Sequence, residues 1–185
     1  MAKAAEADAS IVQAATTLEV TDRASDYLTT LDRMINLTHI ADAKAAPLLA
    51  AHATVAAVTT TQLDKIVALV RDGSPADLVG VALLATAYLV CATVSVVLTL
   101  RVFLPQGSPG QGSLLYFADI ANMRQQDFVA RSLASSADDL ARDALEQTYI
   151  VAGIAGTKFQ RVRLALLLMI GAVVAWLGLM AMANY

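Results

Sequence analysis

The sequence predicts an all-α membrane protein with about three transmembrane helices and cytoplasmic helical extensions. Charge is scarce and uneven: 16% of the 185 residues are charged, against about 25% in soluble domains. Residues 45–63, 78–100 and 164–185 contain no Asp, Glu, Lys or Arg. Each of these windows approaches the ~20 apolar residues that carry a helix across the hydrocarbon core. The stretches between them repeat apolar residues at helical spacing. Such a distribution excludes a simple soluble globule and a disordered chain. A net charge of −3 without a basic stripe argues against a nucleic-acid partner.

Residues 1–44 form an N-terminal cytoplasmic helical region. Ile11, Val12, Ala15 and Leu18 mark one helical run, and Tyr27, Leu28, Leu31, Met34, Ile35 and Thr38 a second. Thr21 or Asp22 is placed to cap the second. That helix is expected to continue through Asp42 and Lys44 into the first window. Acids stand where a signal peptide needs a basic region, and no apolar run follows, so none is expected.

Residues 45–104 hold the first two transmembrane helices and a short outer loop. The apolar residues of the first window are mostly alanine, and it also contains His52, four threonines and Gln62. It reads as a span whose small and hydroxylated surface packs against other helices. The alternative is a helix inside the bundle or along the interface. Pro47 either kinks the helix or marks its start. The second window, 78–100, is a clear span flanked by Asp72, Asp77 and Arg101.

Residues 105–162 form a cytoplasmic helical segment. A Pro- and Gly-rich loop over 105–113 leads into the apolar run 114–120. A short helix over 123–133 and a long one over 137–159 follow, the latter with Leu140, Ala144, Tyr149 or Ile150, and Ile154 on one face. Residues 163–185 are the C-terminal transmembrane helix. Lys158, Arg161 and Arg163 stand before it, Trp176 lies in its second half, and the terminal Tyr185 is an interface anchor. Basic residues set the topology. A cytoplasmic N-terminus and middle segment put eleven of the thirteen Lys and Arg inside, leaving Lys65 and Arg71 outside.

Catalytic chemistry is not visible. There is no phosphate-binding loop, zinc-protease motif or nucleophile elbow, so no catalytic residue is assigned and no enzyme is expected. Cys91 is alone, and His39 and His52 lack metal-ligand spacing, so no metal site and no cofactor are expected. Two polar clusters remain. Asp42 and Lys44, two apart on a helix, do not face each other, so Lys44 either snorkels to headgroups beside a solvated Asp42 or both find partners elsewhere. Tyr116, Phe117 and Asp119, with Arg124 and Arg131 downstream, either hold a base and a phosphate or belong to a small soluble core with exposed arginines. Inside the first window, His52, Thr54 and Thr59, beside the small residues Ala53 and Ala56, either glue helices together or line a path in an oligomer.

These clusters carry a resemblance. Asp42-x-Lys44-Ala45 opens the first span. Ser113-Leu-Leu-Tyr-Phe117-Ala-Asp119-Ile120-Ala121 follows the second, with Phe128-Val129 beyond it. Asp139-Leu140-Ala141 and Tyr149 then lead to Lys158 and the last span. In this order, from about Asn36 to about Ala183, the sequence resembles the transmembrane effectors of the Pycsar anti-phage systems (PycTM-like proteins). The resemblance implies a multi-pass protein of the bacterial inner membrane. Such an effector senses cyclic CMP or cyclic UMP from a pyrimidine nucleotide cyclase of the same operon, and it damages the membrane so that growth stops before phage is released, an abortive infection. Asp42, Lys44, Phe117 and Asp119 match the family's recurrent positions. With them, Tyr116, Arg124 and Arg131 are the candidate nucleotide-binding residues. Membrane leakage through three-span subunits requires a homo-oligomer. A reading from another class is a constitutive small membrane scaffold or adaptor whose cytoplasmic helices dock a protein partner.

Overall fold

A computed structural model describes the backbone of residues 2–105 and 112–184 and the side chains of residues 22–105 and 112–184. Six helices follow in order: α1 (Ala2–Thr61), α2 (Leu63–Asp72), α3 (Pro75–Phe103), α4 (Phe117–Asn122), α5 (Gln125–Ala134) and α6 (Ala137–Asn184). No strand occurs among the described residues. They fall into two compact units, one within Met1–Thr38 and Pro105–Ala155, the other within His39–Leu104 and Gly156–Tyr185. Helices α3 and α6 are each long and apolar enough to cross a membrane, and α1 with α2 makes a third span if that bent pair counts as one.

In the second unit α3 and α6 run antiparallel and in step. A Cβ on Gly80 would stand 2.9 Å from Met182 Cε, one on Gly178 3.2 Å from Leu84, and one on Gly171 3.6 Å from Cys91 Sγ. Further along, Ser95 Oγ donates to the Ala165 carbonyl at 2.7 Å, and Arg161 donates to the Arg101 carbonyl at 3.0 Å. Small residues at these crossings let the two backbones approach, which is how membrane helices gain dispersion energy without a hydrophobic drive. The last stretch of α1 runs parallel to α6. Asp42 pairs with Lys158 near one end of this contact, and Lys65 just past α1 bonds Asn184 at the other. Ala45, Leu48, Val102, Val162, Ala165 and Met169 from all three helices form the buried core. The first window therefore accompanies the other two spans.

Three details differ from the sequence reading. First, α1 is one helix, with no break at Thr21 or Asp22; a residue able to cap ends a helix only where the chain turns away. Second, Pro47 sits inside α1 without interrupting it, between the buried Ala45 and Leu48 that hold the chain in the core. Third, the break falls at Gln62, where α2 departs at 54°. Just upstream, the hydroxyls of Thr59, Thr60 and Thr61 bond back to the carbonyls of Val55, Ala57 and Val58, a pattern that weakens helices locally but that Thr29, Thr30, Thr38 and Thr54 also make where α1 runs on. Helix α3 starts sharply: Pro75 fills the first helical position, and Ser74 and Asp77 cap each other reciprocally. Among the described residues the Trp176 indole N–H, inside α6, is buried without a hydrogen-bond partner.

In the first unit most of the expected loop, residues 106–111, lies outside the described residues, as does Tyr185. Of the apolar run 114–120 only the part from Phe117 is helical, as the start of α4. The long helix and the last span are one element, α6. Its start is capped by Ser136, which accepts from the Asp139 N–H at 3.2 Å while its own N–H donates to Asp139 at 3.0 Å.

Candidate functional site

The first unit holds a cavity of 770 Å³. Its floor is the segment from Gly112 to Leu114, one side is α5 through Arg131, and the other is the first four turns of α6 through Arg142, Glu146 and Tyr149. Carboxylates build it. Asp119, buried in α4, accepts from the Gly112 and Ser113 N–H groups at 3.0 and 2.8 Å. Asp143 of α6 accepts from the Leu114 N–H at 2.8 Å. The Ser113 hydroxyl accepts from the N–H groups of Leu115 and Tyr116, both at 3.0 Å. Five backbone donors of a loop are thereby satisfied without regular structure.

Gly112 is favoured here by its φ of +84°, the left-handed region that side chains disfavour; a Cβ there would stand 3.4 Å from Arg131 Nη1, in ordinary contact. The Arg131 guanidinium thus lies along bare backbone at the cavity wall. Among the described residues no carboxylate pairs with it, and its one polar contact is a 3.9 Å approach to Met123 Sδ. The acids around it are differently placed. Asp143 is occupied by the Leu114 N–H. Asp139 is held below the ordinary carboxylate range, first by the Ser136 hydroxyl and then by the Ser136 N–H, with the Arg142 charge helping. The Tyr149 ring stands 83% exposed, so its face is open to a planar group. Chemically, the lining of this cavity includes a cation, Arg131, an aromatic ring, Tyr149, and a carboxylate, Glu146.

Of the candidate nucleotide residues, Arg131 lines this cavity and Asp119 anchors its floor. Tyr116 and Phe117 pack edge to face with ring centroids 5.1 Å apart, and Phe117 is 74% exposed. Arg124 makes a two-pronged surface pair with Asp127 at 2.7 and 3.0 Å and is not among the lining residues. Asp42 and Lys44 belong to the second unit. Both Asp42 oxygens accept from Lys158 Nζ, at 2.6 and 2.9 Å. The Lys44 ammonium stands 5.3 Å above the Phe159 ring, within cation–π range. Two adjacent residues of α6 therefore answer the two charges that could not answer each other.

The polar residues of the first window are occupied as well. Thr54 and Thr59 donate to the carbonyls of Ala50 and Val55 in their own helix. His52 Nε2 lies 2.8 Å from Ser95 Oγ. Because the single Ser95 hydroxyl proton goes to Ala165 O, the histidine must donate, which fixes a proton on Nε2. One chain of hydrogen bonds thus ties α1, α3 and α6 together. Ala53 and Ala56 are exposed on the single chain.

Sequence reasoning missed Arg142, Glu146 and Tyr149 as cavity residues and Ser95 as the histidine's partner. A signal existed for the first three: they recur at three- and four-residue spacing on one face of the long helix. Ser95 had a weaker one, as a hydroxyl in the middle of an apolar window.

The family described as the Pycsar effector protein domain, PycTM, matches residues 26–183. No curated protein and no solved structure matches the chain.

Proposed function

The chain belongs to the Pycsar effector family, and on that premise we propose that it senses a cyclic pyrimidine mononucleotide, cyclic CMP or cyclic UMP, and as a homo-oligomer disrupts the bacterial inner membrane to abort infection. The observation that carries the proposal is the coexistence, in one small chain, of apolar helices long enough to cross a membrane and a separate unit with a nucleotide-sized cavity. In this reading Arg131 meets the phosphate, a charge-assisted bond at a guanidinium with no carboxylate partner among the described residues. Tyr149 stacks on the base. Glu146 takes a ribose hydroxyl or a base amine. Asp119 acts one step removed, by holding Gly112 and Ser113 beside Arg131. Asp42 and Lys44 serve the packing of α1 on α6 rather than ligand contact. The protein performs no catalysis of its own; its partner is a nucleotide cyclase that makes the messenger.

Binding does work only if it favours one state over another. The exposed Ala53 and Ala56 supply a small-residue face on which subunits meet. The bond from His52 to Ser95 of α3 supports a gluing role over a pore lining for the histidine, whereas Thr54 and Thr59 bond within their own helix. The N-terminus and the middle segment lie in the cytoplasm, where the cyclase product is made, in agreement with the basic-residue bias.

Titration calorimetry of the detergent-purified chain with cyclic CMP, cyclic UMP and cyclic AMP tests the sensing step. The expected result is binding of one pyrimidine nucleotide and a tenfold or greater loss in Arg131→Ala, the scale of one charge-assisted bond of about 1.5–3 kcal/mol. Binding of none, or equal binding of cyclic AMP, contradicts it. A second reading, the constitutive scaffold, is favoured by the exposure of Phe117 at 74% and Leu133 at 84%, an apolar surface suited to a protein partner. An effector is tolerated alone and toxic with the nucleotide, and its gene lies beside a cyclase gene; a scaffold shows neither the nucleotide-dependent toxicity nor the neighbouring cyclase.

A further inference from the structure

Helix α2 carries two opposed faces. Leu63, Val67 and Val70 form a stripe along one side, 52%, 57% and 48% exposed. Ile66 and Leu69, beside the stripe, are half-buried. Asp64, Lys65, Arg71 and Asp72 occupy the opposite side. No α2 residue is buried, so ten ordered residues leave a continuous apolar face uncovered by their own chain.

We propose that α2 is an interfacial helix, lying in the membrane–water boundary with the Leu63–Val67–Val70 stripe seated among lipid headgroups and upper acyl chains. Connectivity leaves little else. Gln62 alone separates α2 from α1, and Gly73 and Ser74 alone separate it from α3, so neither end can leave the level at which those helices stop. That level is fixed independently. Lys65 Nζ bonds Asn184 Oδ1 at 2.7 Å, so α2 begins beside the end of α6. The Ser74–Asp77 capping box is a polar, charged cap suited to water. The exposed apolar surface of α3 starts just beyond it, at Leu78 and Val79, and the α2 stripe extends that lipid-facing surface.

Depth is bounded from both sides. Four charged side chains in ten residues make a position within the hydrocarbon costly. The apolar stripe makes full immersion in water costly. An amphipathic helix of this kind settles with its apolar face ~5–10 Å into the headgroup–acyl boundary. The 54° departure from α1 is the geometric sign of a chain leaving the span direction. The inference is independent of nucleotide sensing.

Site-directed spin labelling of the full-length chain in phosphatidylethanolamine–phosphatidylglycerol liposomes tests it. Labels are placed singly at Val67→Cys, at Ala68→Cys on the polar side and at the exposed Leu89→Cys as a deep reference, each with Cys91→Ser. Accessibility to oxygen and to a nickel chelate gives depth. The expected result is a Val67 label within ~10 Å of the phosphate plane and oxygen-accessible, an Ala68 label accessible to the nickel chelate, and a Leu89 label deeper than both. A Val67 label as deep as Leu89 overturns the proposal in favour of a broken span. A Val67 label reached by neither reagent overturns it in favour of contact with a second copy. A Val67 label as wet as Ala68 overturns it outright.

Discussion

The pairing of Asp42 with Lys158 shows how one charge near a membrane helix is made tolerable. The Lys158 side chain is 11% exposed and that of Asp42 31%, so neither can rely on water alone. Removing one partner strands the other. Asp42→Asn is therefore expected to destabilise the chain by about 1–3 kcal/mol, read from denaturant unfolding in micelles, and Asp42→Asn with Lys158→Met to recover part of the loss. A different asymmetry holds at His52 and Ser95. His52→Leu leaves Ser95 still donating to Ala165 O, and its cost is the loss of one intramembrane bond, about 0.6 kcal/mol. Ser95→Val leaves the His52 N–H without an acceptor and puts a branched side chain against α6. The same unfolding assay is expected to show Ser95→Val as the more damaging of the two; the reverse order would contradict the chain of bonds from His52 through Ser95 to Ala165.

At the scale of elements, local composition decides what can be read in advance. The second and third windows are legible because an uncharged run of this length has few uses outside a bilayer. The α1–α2 break was not legible as a break. A threonine run reads as helix glue, and back-bonds like those of Thr59, Thr60 and Thr61 also occur at Thr54 within the unbroken helix, so no local feature marks Gln62 as the stop. The pairing of Asp42 with Lys158 needed knowledge of which helix lies beside which, information held in no local window. Helices α3 and α6 make a sharper test of packing. Gly80 faces the flexible end of Met182, and Gly178 faces both methyl groups of the branched Leu84, at 3.2 and 3.3 Å. Met182 can swing aside, whereas Leu84 must be displaced. Gly178→Ala is expected to cost about 1 kcal/mol or more, at the low end of overpacking penalties, and Gly80→Ala less. Equal costs would mean that α3 and α6 do not hold this register.

For the whole molecule, the class of protein and its family were legible, the first from uncharged windows and the second from short motifs in a fixed order. The cavity was legible only in part. Arg131 stood out as a cation near aromatics, whereas Arg142, Glu146 and Tyr149 join it through the return of α6, a tertiary fact. What unites the two units functionally is the proposal that a nucleotide held in one governs the membrane action of the other. The measurement that tests this most directly is dye efflux from liposomes carrying the full-length chain, on addition of cyclic CMP, cyclic UMP or cyclic AMP. The account predicts efflux with a pyrimidine nucleotide, none with cyclic AMP or buffer, and none in Arg131→Ala. Liposomes that stay sealed with every nucleotide, or that leak equally without any, would contradict it.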